Sequence, residues 1–279
     1  MPPQYETQYD HATMAPKDLK YVLYEKKGRV AYVTINRPEV RNALHTYAYQ
    51  ELRACWRDVG LDPEIYCAIV TGTGEAFSAG RDVKFLAAHQ AEGKRTPHED
   101  PTNPNYQWGG GGLPSAVNLD KPVISAINGL AVGVGLSLAL AGQLRVMAEE
   151  AWISDTHTLV GRLGSPQNLY FGIPRAVAAY MTLANGRLSA QECLQYGIVN
   201  RVVPRARLME AAEEIAAMVC RGAPLPTQAA VRIYRLASAF PDALVDYQRA
   251  LDRQTAESED GAEGPRAFRE KRKPNWKGR

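Results

Sequence analysis

An α/β fold in one large domain, ending in a helical region, is predicted by three observations. Short β-branched runs alternate with stretches of helical period up to residue 204, and beyond Arg205 only the helical period remains. A chain of 279 residues at 45% hydrophobic and 23% charged also has enough apolar material for a single sizeable core. The 33 basic against 30 acidic residues leave +3, so nothing in the charge demands a nucleic-acid partner.

Residues 1–19 read as a polar leader, because Glu6, Asp10, Lys17 and Asp18 interrupt any apolar run that could serve as a secretory signal. Residues 21–25 and 30–35 are β-branched and aromatic, and Lys26, Lys27, Gly28 and Arg29 between them make a hairpin. Tyr47, Leu52, Cys55, Trp56 and Val59 recur at helical spacing until Asp62 and Pro63 stop the pattern. Residues 66–71 form a buried strand, followed by a turn at Gly72 to Gly74, and this order suggests βαβ units. Residues 91–113, rich in Pro, Asn, His and Gly, read as a surface loop; its four glycines at 109–112 lack the Gly-Lys-Ser/Thr of a phosphate loop.

Residues 122–144 carry no charge and are long enough to cross a bilayer. Their order of β-formers, then Asn128, Gly129, Gly133 and Gly135, then a Leu/Ala run instead predicts a strand at 123–127, a glycine turn and a buried helix at 136–140. Strands follow at 144–148 and 151–154. Leu208, Ala212, Ile215, Ala216 and Val219 form a helical stripe, a second helix is expected after Pro226, and the basic tail at 265–279 reads as a solvated end. The expected division is leader 1–19, core 20–204 and helical region 205–279.

Two glycine turns draw attention as chemistry. Phe77, Ser78, Ala79, Gly80, Arg81 and Asp82 follow one strand, and Asn128 to Gly135 follow another. Small residues let a ligand approach the main chain, and the helix after Gly133 aims its positive end at what binds there. Two N–H groups converging on one carbonyl oxygen would make an oxyanion hole. Cys55, Cys67, Cys193 and Cys220 lie far apart with no C-x-x-C pair, as expected of reduced thiols in a cytoplasmic protein. His11, His45, His89, His98 and His157 show no metal-ligand spacing, so no metal is expected.

Ile35-Asn36-Arg37-Pro38, Asn42-Ala43-Leu44, residues 77–82, 121–129, 186–191, 197–200 and 268–274 fall in an order that resembles the enoyl-CoA hydratase/isomerase (crotonase) family over about residues 20–276. The resemblance implies a spiral of ββα units with a helical C-terminal region that packs homotrimers, often paired into hexamers. It implies an acyl-CoA thioester as substrate, with CoA entering as part of it and no covalently bound cofactor; from the charge balance and the pattern of residues 122–144, no nucleic-acid or membrane partner is expected. Carried over by position, the backbone N–H groups of Ala79 and Val134 form the oxyanion pair, Val134 standing where the family has the second of three glycines. Phe268 and Lys271 match residues that approach CoA from a neighbouring subunit.

Hydratases of this family use two glutamates, and their positions here hold Ser137 and His157. A hydroxyl without a partner is a poor base, whereas imidazole transfers protons in either direction near neutral pH. Asp155, two residues earlier, would share one side of an extended strand with His157 and orient its ring. Arg162, Ser165 and Gln167 follow where relatives place substrate-facing residues, and their polarity points to an oxygenated acyl group. Asp120, His89, His98 and Tyr106 are further candidates. The implied reaction is hydration or dehydration at the β-carbon through an enolate. Left open are C–C bond hydrolysis, decarboxylation or isomerisation of an oxygenated acyl-CoA, and a non-catalytic CoA-binding scaffold.

Overall fold

Residues 19–85, 88, 112–164, 173–237 and 242–279 are described by the computed structural model. The hairpin forms as the sequence predicts, β1 (Val22–Lys27) lying antiparallel to β2 (Val30–Ile35). Its entry is fixed by Glu51, fully buried in α1 (Thr46–Leu61), whose carboxylate accepts the N–H groups of Lys20, Tyr21 and Val22 at 3.0, 2.6 and 2.9 Å. Burial pushes this carboxyl above the ordinary glutamate range, against the pull of the three donors. Glu51→Ala would strand those donors, and we expect it to cost about 3 kcal/mol in urea unfolding, with the folded far-UV spectrum retained.

α1 starts on His45, whose Nδ1 accepts from Ala48 N at 3.1 Å, and ends on the buried Lys121, whose Nζ donates to Val59 O at 2.7 Å. The chain continues through β3 (Cys67–Gly72), β4 (Ala76–Ser78), β5 (Val123–Ile127), β6 (Leu130–Val132), α2 (Val134–Ala141), β7 (Leu144–Ala148), β8 (Trp152–Ser154), α3 (Arg175–Leu183), β9 (Arg187–Ser189), α4 (Ala190–Gln195) and β10 (Arg201–Val203). One sheet has the order β1-β2-β3-β5-β7-β10 and the other β4-β6-β8-β9. From β2 onward the first sheet is parallel; in the second, only β9 runs antiparallel.

Each of β3, β5 and β7 is thus followed by a three-residue strand in the smaller sheet. This ββα winding replaces the simple βαβ units read from the hydrophobic runs, because three residues carry no detectable period. The uncharged stretch divides into β5, β6 and α2, and among the described residues no helix is long and apolar enough to cross a membrane.

Two asparagines fix the crossing between the sheets. Asn128 Nδ2 donates to Gly72 O, Gly74 O and Ala76 O at 2.8, 2.9 and 3.1 Å, and Asn42 Nδ2 donates to Thr73 O and Ala76 O at 2.8 and 2.7 Å. The bend that sends the chain from β3 into β4 is therefore held from two sides.

Strand alternation sorts the core. Ala68, Val70, Val123 and Ile127 face the main core with α1, while Cys67, Ile69, Ile124 and Ala126 face α5 (Leu208–Cys220) through Leu208, Ala212 and Ile215. α6 (Pro224–Ala237) starts before the predicted point, with Pro226 in its first turn, where a missing N–H costs little. Asp120 pairs with Arg232 and Arg235 of this helix at 2.6 and 2.9 Å.

α7 (Asp242–Glu257) and α8 (Glu259–Glu270) complete the chain. The basic tail is exposed, as the sequence predicts, and is also tied back to α8. Glu263 accepts from Arg266, Arg272 and Asn275 N, Asp260 accepts from Lys277 N and Gly278 N, and Arg279 pairs with Glu259. These contacts hold the Glu263 carboxyl far below the ordinary range, led by the Arg272 guanidinium.

Candidate active site

Three segments meet at the ends of the small sheet. The first is the turn after β4. Gly80 has φ +86°, and a Cβ there would lie 2.6 Å from Val132 O and 3.4 Å from Val134 N. The two glycine turns singled out in the sequence therefore touch. The turn is fastened by Leu44 N donating to Gly80 O at 2.7 Å and Asp82 N donating to Leu44 O at 2.9 Å. Beside it lies a buried ion pair, Arg37 to Asp82 at 3.0 Å.

The second segment is the start of α2. Val134 is its first helical residue, where N–H groups lack an intrahelical acceptor, and among the described residues no partner takes this one. Ala79, its expected companion, is a correction: its N–H donates to Arg41 O at 2.9 Å and is committed to the fold. The part of the turn that lies against Val134 is Gly80 with the Arg81 peptide.

The third segment carries His157. β8 ends at Ser154, and His157 opens a 3₁₀ turn, His157–Val160, instead of lying on an extended strand with Asp155. The pair still meets. Asp155 Oδ1 lies 2.5 Å from His157 Nδ1 and accepts His157 N at 3.2 Å. A carboxylate on Nδ1 keeps the proton there and leaves the Nε2 lone pair free to act. A Cβ built on Gly133 would lie 3.7 Å from Nε2, so this edge of the ring faces the start of α2. Gly164, at φ +69°, covers the other edge so closely that a Cβ there would fall 2.5 Å from Nδ1. The His157 side chain keeps 25% of its surface exposed, against 7% for Asp155, so the ring is held on its inner side and open on one face.

The remaining candidates divide. Ser137 Oγ donates back to Gly133 O at 3.4 Å, and among the described residues no hydrogen bond links it to His157 or Asp155. Arg162 N closes the 3₁₀ turn on His157 O at 3.0 Å. Asp120 is engaged by α6 and serves packing. Phe268 and Lys271 stand exposed at the end of α8, Lys271 as its left-handed cap. Ser165, Gln167, His89, His98 and Tyr106 lie outside the described residues. Among the described residues no group of three or more His, Cys, Asp or Glu could hold a metal.

Asp252 and Gln248 of α7 were not anticipated. Gln248 Nε2 donates to Gly164 O at 2.6 Å, and Asp252 Oδ1 accepts Leu163 N at 3.3 Å. Burial pushes the Asp252 carboxyl above the ordinary range, while the Leu163 N–H and the nearby Arg162, His157 and Arg81 pull it back. In sequence the two resemble any polar pair on a solvated helix face.

Residues 25–279 match the family model described as enoyl-CoA hydratase/isomerase. The carnitinyl-CoA dehydratase of Salmonella typhi is 38% identical over 273 residues, which cover 91% of this chain and 97% of that protein. The crystal structure of a carnitinyl-CoA hydratase from Mycobacterium avium superposes with a TM-score of 0.80 at 31% identity, over 93% of this chain and 99% of that one. A methylmalonyl-CoA decarboxylase in complex with 2-nitronate-propionyl-CoA is similar in structure at a TM-score of 0.79 and 25% identity, over 93% and 99% of the two chains.

Proposed function

The chain belongs to the enoyl-CoA hydratase/isomerase family, and on that footing we propose that it is a lyase that moves water across the Cα–Cβ bond of an acyl-CoA thioester with His157 as its single acid–base group. The observation that carries this reading is the orientation of the imidazole: Nδ1 on Asp155, Nε2 toward the first turn of α2.

The thioester oxygen is held by the Val134 N–H together with the Gly80–Arg81 turn, so that negative charge gathers where main-chain dipoles point. In dehydration, Nε2 takes the Cα proton and the thioester becomes an enolate. The enolate electrons then form the Cα–Cβ double bond as the Cβ–O bond breaks, and the imidazolium returns its proton to the departing hydroxide, which leaves as water. Hydration runs the same steps backwards. One ring serves both transfers, which removes the need for a pair of carboxylates.

CoA itself is held in this reading by Phe268 and Lys271 of a neighbouring subunit in a homotrimer or dimer of trimers. Supporting an assembly, α6 exposes Leu225, Ile233, Tyr234 and Leu236, and α7 exposes Tyr247, at 62% or more. The four free thiols, three of them buried, fit a reducing compartment such as the cytoplasm.

The test is incubation with 3-hydroxybutyryl-CoA and with carnitinyl-CoA, the latter chosen from the relatives' names, while the ultraviolet absorbance of the conjugated enoyl thioester is followed. A rise with either compound is the expected result. Absence of any rise, with carbon dioxide released from a malonyl-type CoA ester instead, would move the assignment to decarboxylation.

A further inference from the structure

The inner side of α7 reaches the catalytic turn through two side chains one helical turn apart, Gln248 and Asp252, which are 8% and 3% exposed. They take the two polar groups on either side of the Gly164 nitrogen: Asp252 the N–H of Leu163, Gln248 the carbonyl of Gly164. Gly164 is in turn the wall against His157 Nδ1. The chain of contact from α7 to the imidazole is thus unbroken, and it involves no group assigned a role so far.

We propose that Asp252 and Gln248 are positioning residues for His157: they clamp Leu163 and Gly164 against the ring. This rests on His157 being the base. Among the described residues, Asp155 meets the ring from its own segment and Asp252 comes from α7, with Arg162, His157 and Arg81 near the Asp252 carboxyl. α8 meets the turn through backbone, Gly161 lying against Asp260 O and Gly264 against Val160 O, so its carboxylates point to the tail instead. Thr158 of the turn is held by Asn185, beyond α3, through a neutral hydrogen bond at 2.8 Å.

The experiment is the split between kcat and KM in the full chain for Asp252→Leu and Gln248→Met, with Asp252→Asn beside them. Asp252→Leu removes the acceptor of the Leu163 N–H, and Gln248→Met keeps the shape and removes the donor to Gly164 O; a fall of about tenfold in kcat with KM nearly constant is expected of each. In Asp252→Asn the amide oxygen still accepts the Leu163 N–H, so kcat should recover to within about twofold of wild type.

Unchanged kcat in Asp252→Leu overturns the role of Asp252, and unchanged kcat in Gln248→Met overturns that of Gln248. If both occur while His157→Ala is inactive, the inference fails and the reading of the base stands. If His157→Ala is fully active, both fail.

Discussion

His157→Ala lowers kcat/KM by about a thousandfold, and the affinity for an acyl-CoA substrate stays within about threefold of wild type. The split follows from the geometry. In the proposed mechanism the ring meets the acyl carbons and takes no part in holding the nucleotide end of CoA. What the substitution removes is the only proton carrier in the proposed mechanism, since Ser137 is bonded back to its own helix and the Asp155 oxygen facing the ring is occupied by it. The Val134 N–H remains, so on the proposed mechanism a residue of enolate stabilisation should persist and keep the rate above that of free solution. Steady-state kinetics on the variant, paired with a binding isotherm for CoA, measure the two quantities separately. Loss of binding in step with loss of rate would mean that the ring is structural.

Gly80→Val should lower kcat by about a hundredfold or more without touching any group that moves a proton. At φ +86° a β-branched residue is strained by about 2 kcal/mol, and its Cβ would press on Val132 O, 2.6 Å away. That carbonyl belongs to β6, so relief comes by separating the β4 turn from the start of α2. In the proposed mechanism the oxygen of the substrate would then lose one side of its cradle, an effect of about a hundredfold or more in kcat. The thermal midpoint should fall by several degrees at the same time. The decisive comparison is with wild type at a temperature where both are folded: full activity there would show that the two turns need not touch for catalysis.

The hairpin, α1, β3, β5, β7 and α5 were legible in the sequence because each is long enough to show a period and each buries one face. β4 and β6 were not, because three residues between Gly72 and Gly80, or between Gly129 and Gly133, read as part of a turn. The pairing of Asp155 with His157 was legible for the wrong reason. Strand alternation predicted it, whereas the aspartate reaches forward to the N–H and the ring of the residue two places on, as Asp does at the start of turns. Ala79 was carried over by position, and its bond to Arg41 depends on how residues 41–44 run beside 79–82, which no local pattern encodes. Asp252 and Gln248 were invisible for the same reason: a polar pair four apart looks solvated until a loop from elsewhere covers it. The tail did hold a clue, since Glu259, Asp260 and Glu263 stand close enough upstream to neutralise it.

The sheet order described above also governs how the chain finds its shape. Beyond the hairpin, every neighbouring pair of strands is distant in sequence: Ala68 with Val123, Val146 with Arg201, and in the small sheet Ala76 with Leu130. Loops of this length must close before any ladder bond rewards them, which puts the chain toward the slow end of folding rates. The three turns that hold the proposed reactive groups hang on the small sheet, whose strands are each three residues long. We expect the site to form late, and until then the apolar edges of β3 and β5 would be open to other chains, a hazard at high expression levels or on heating.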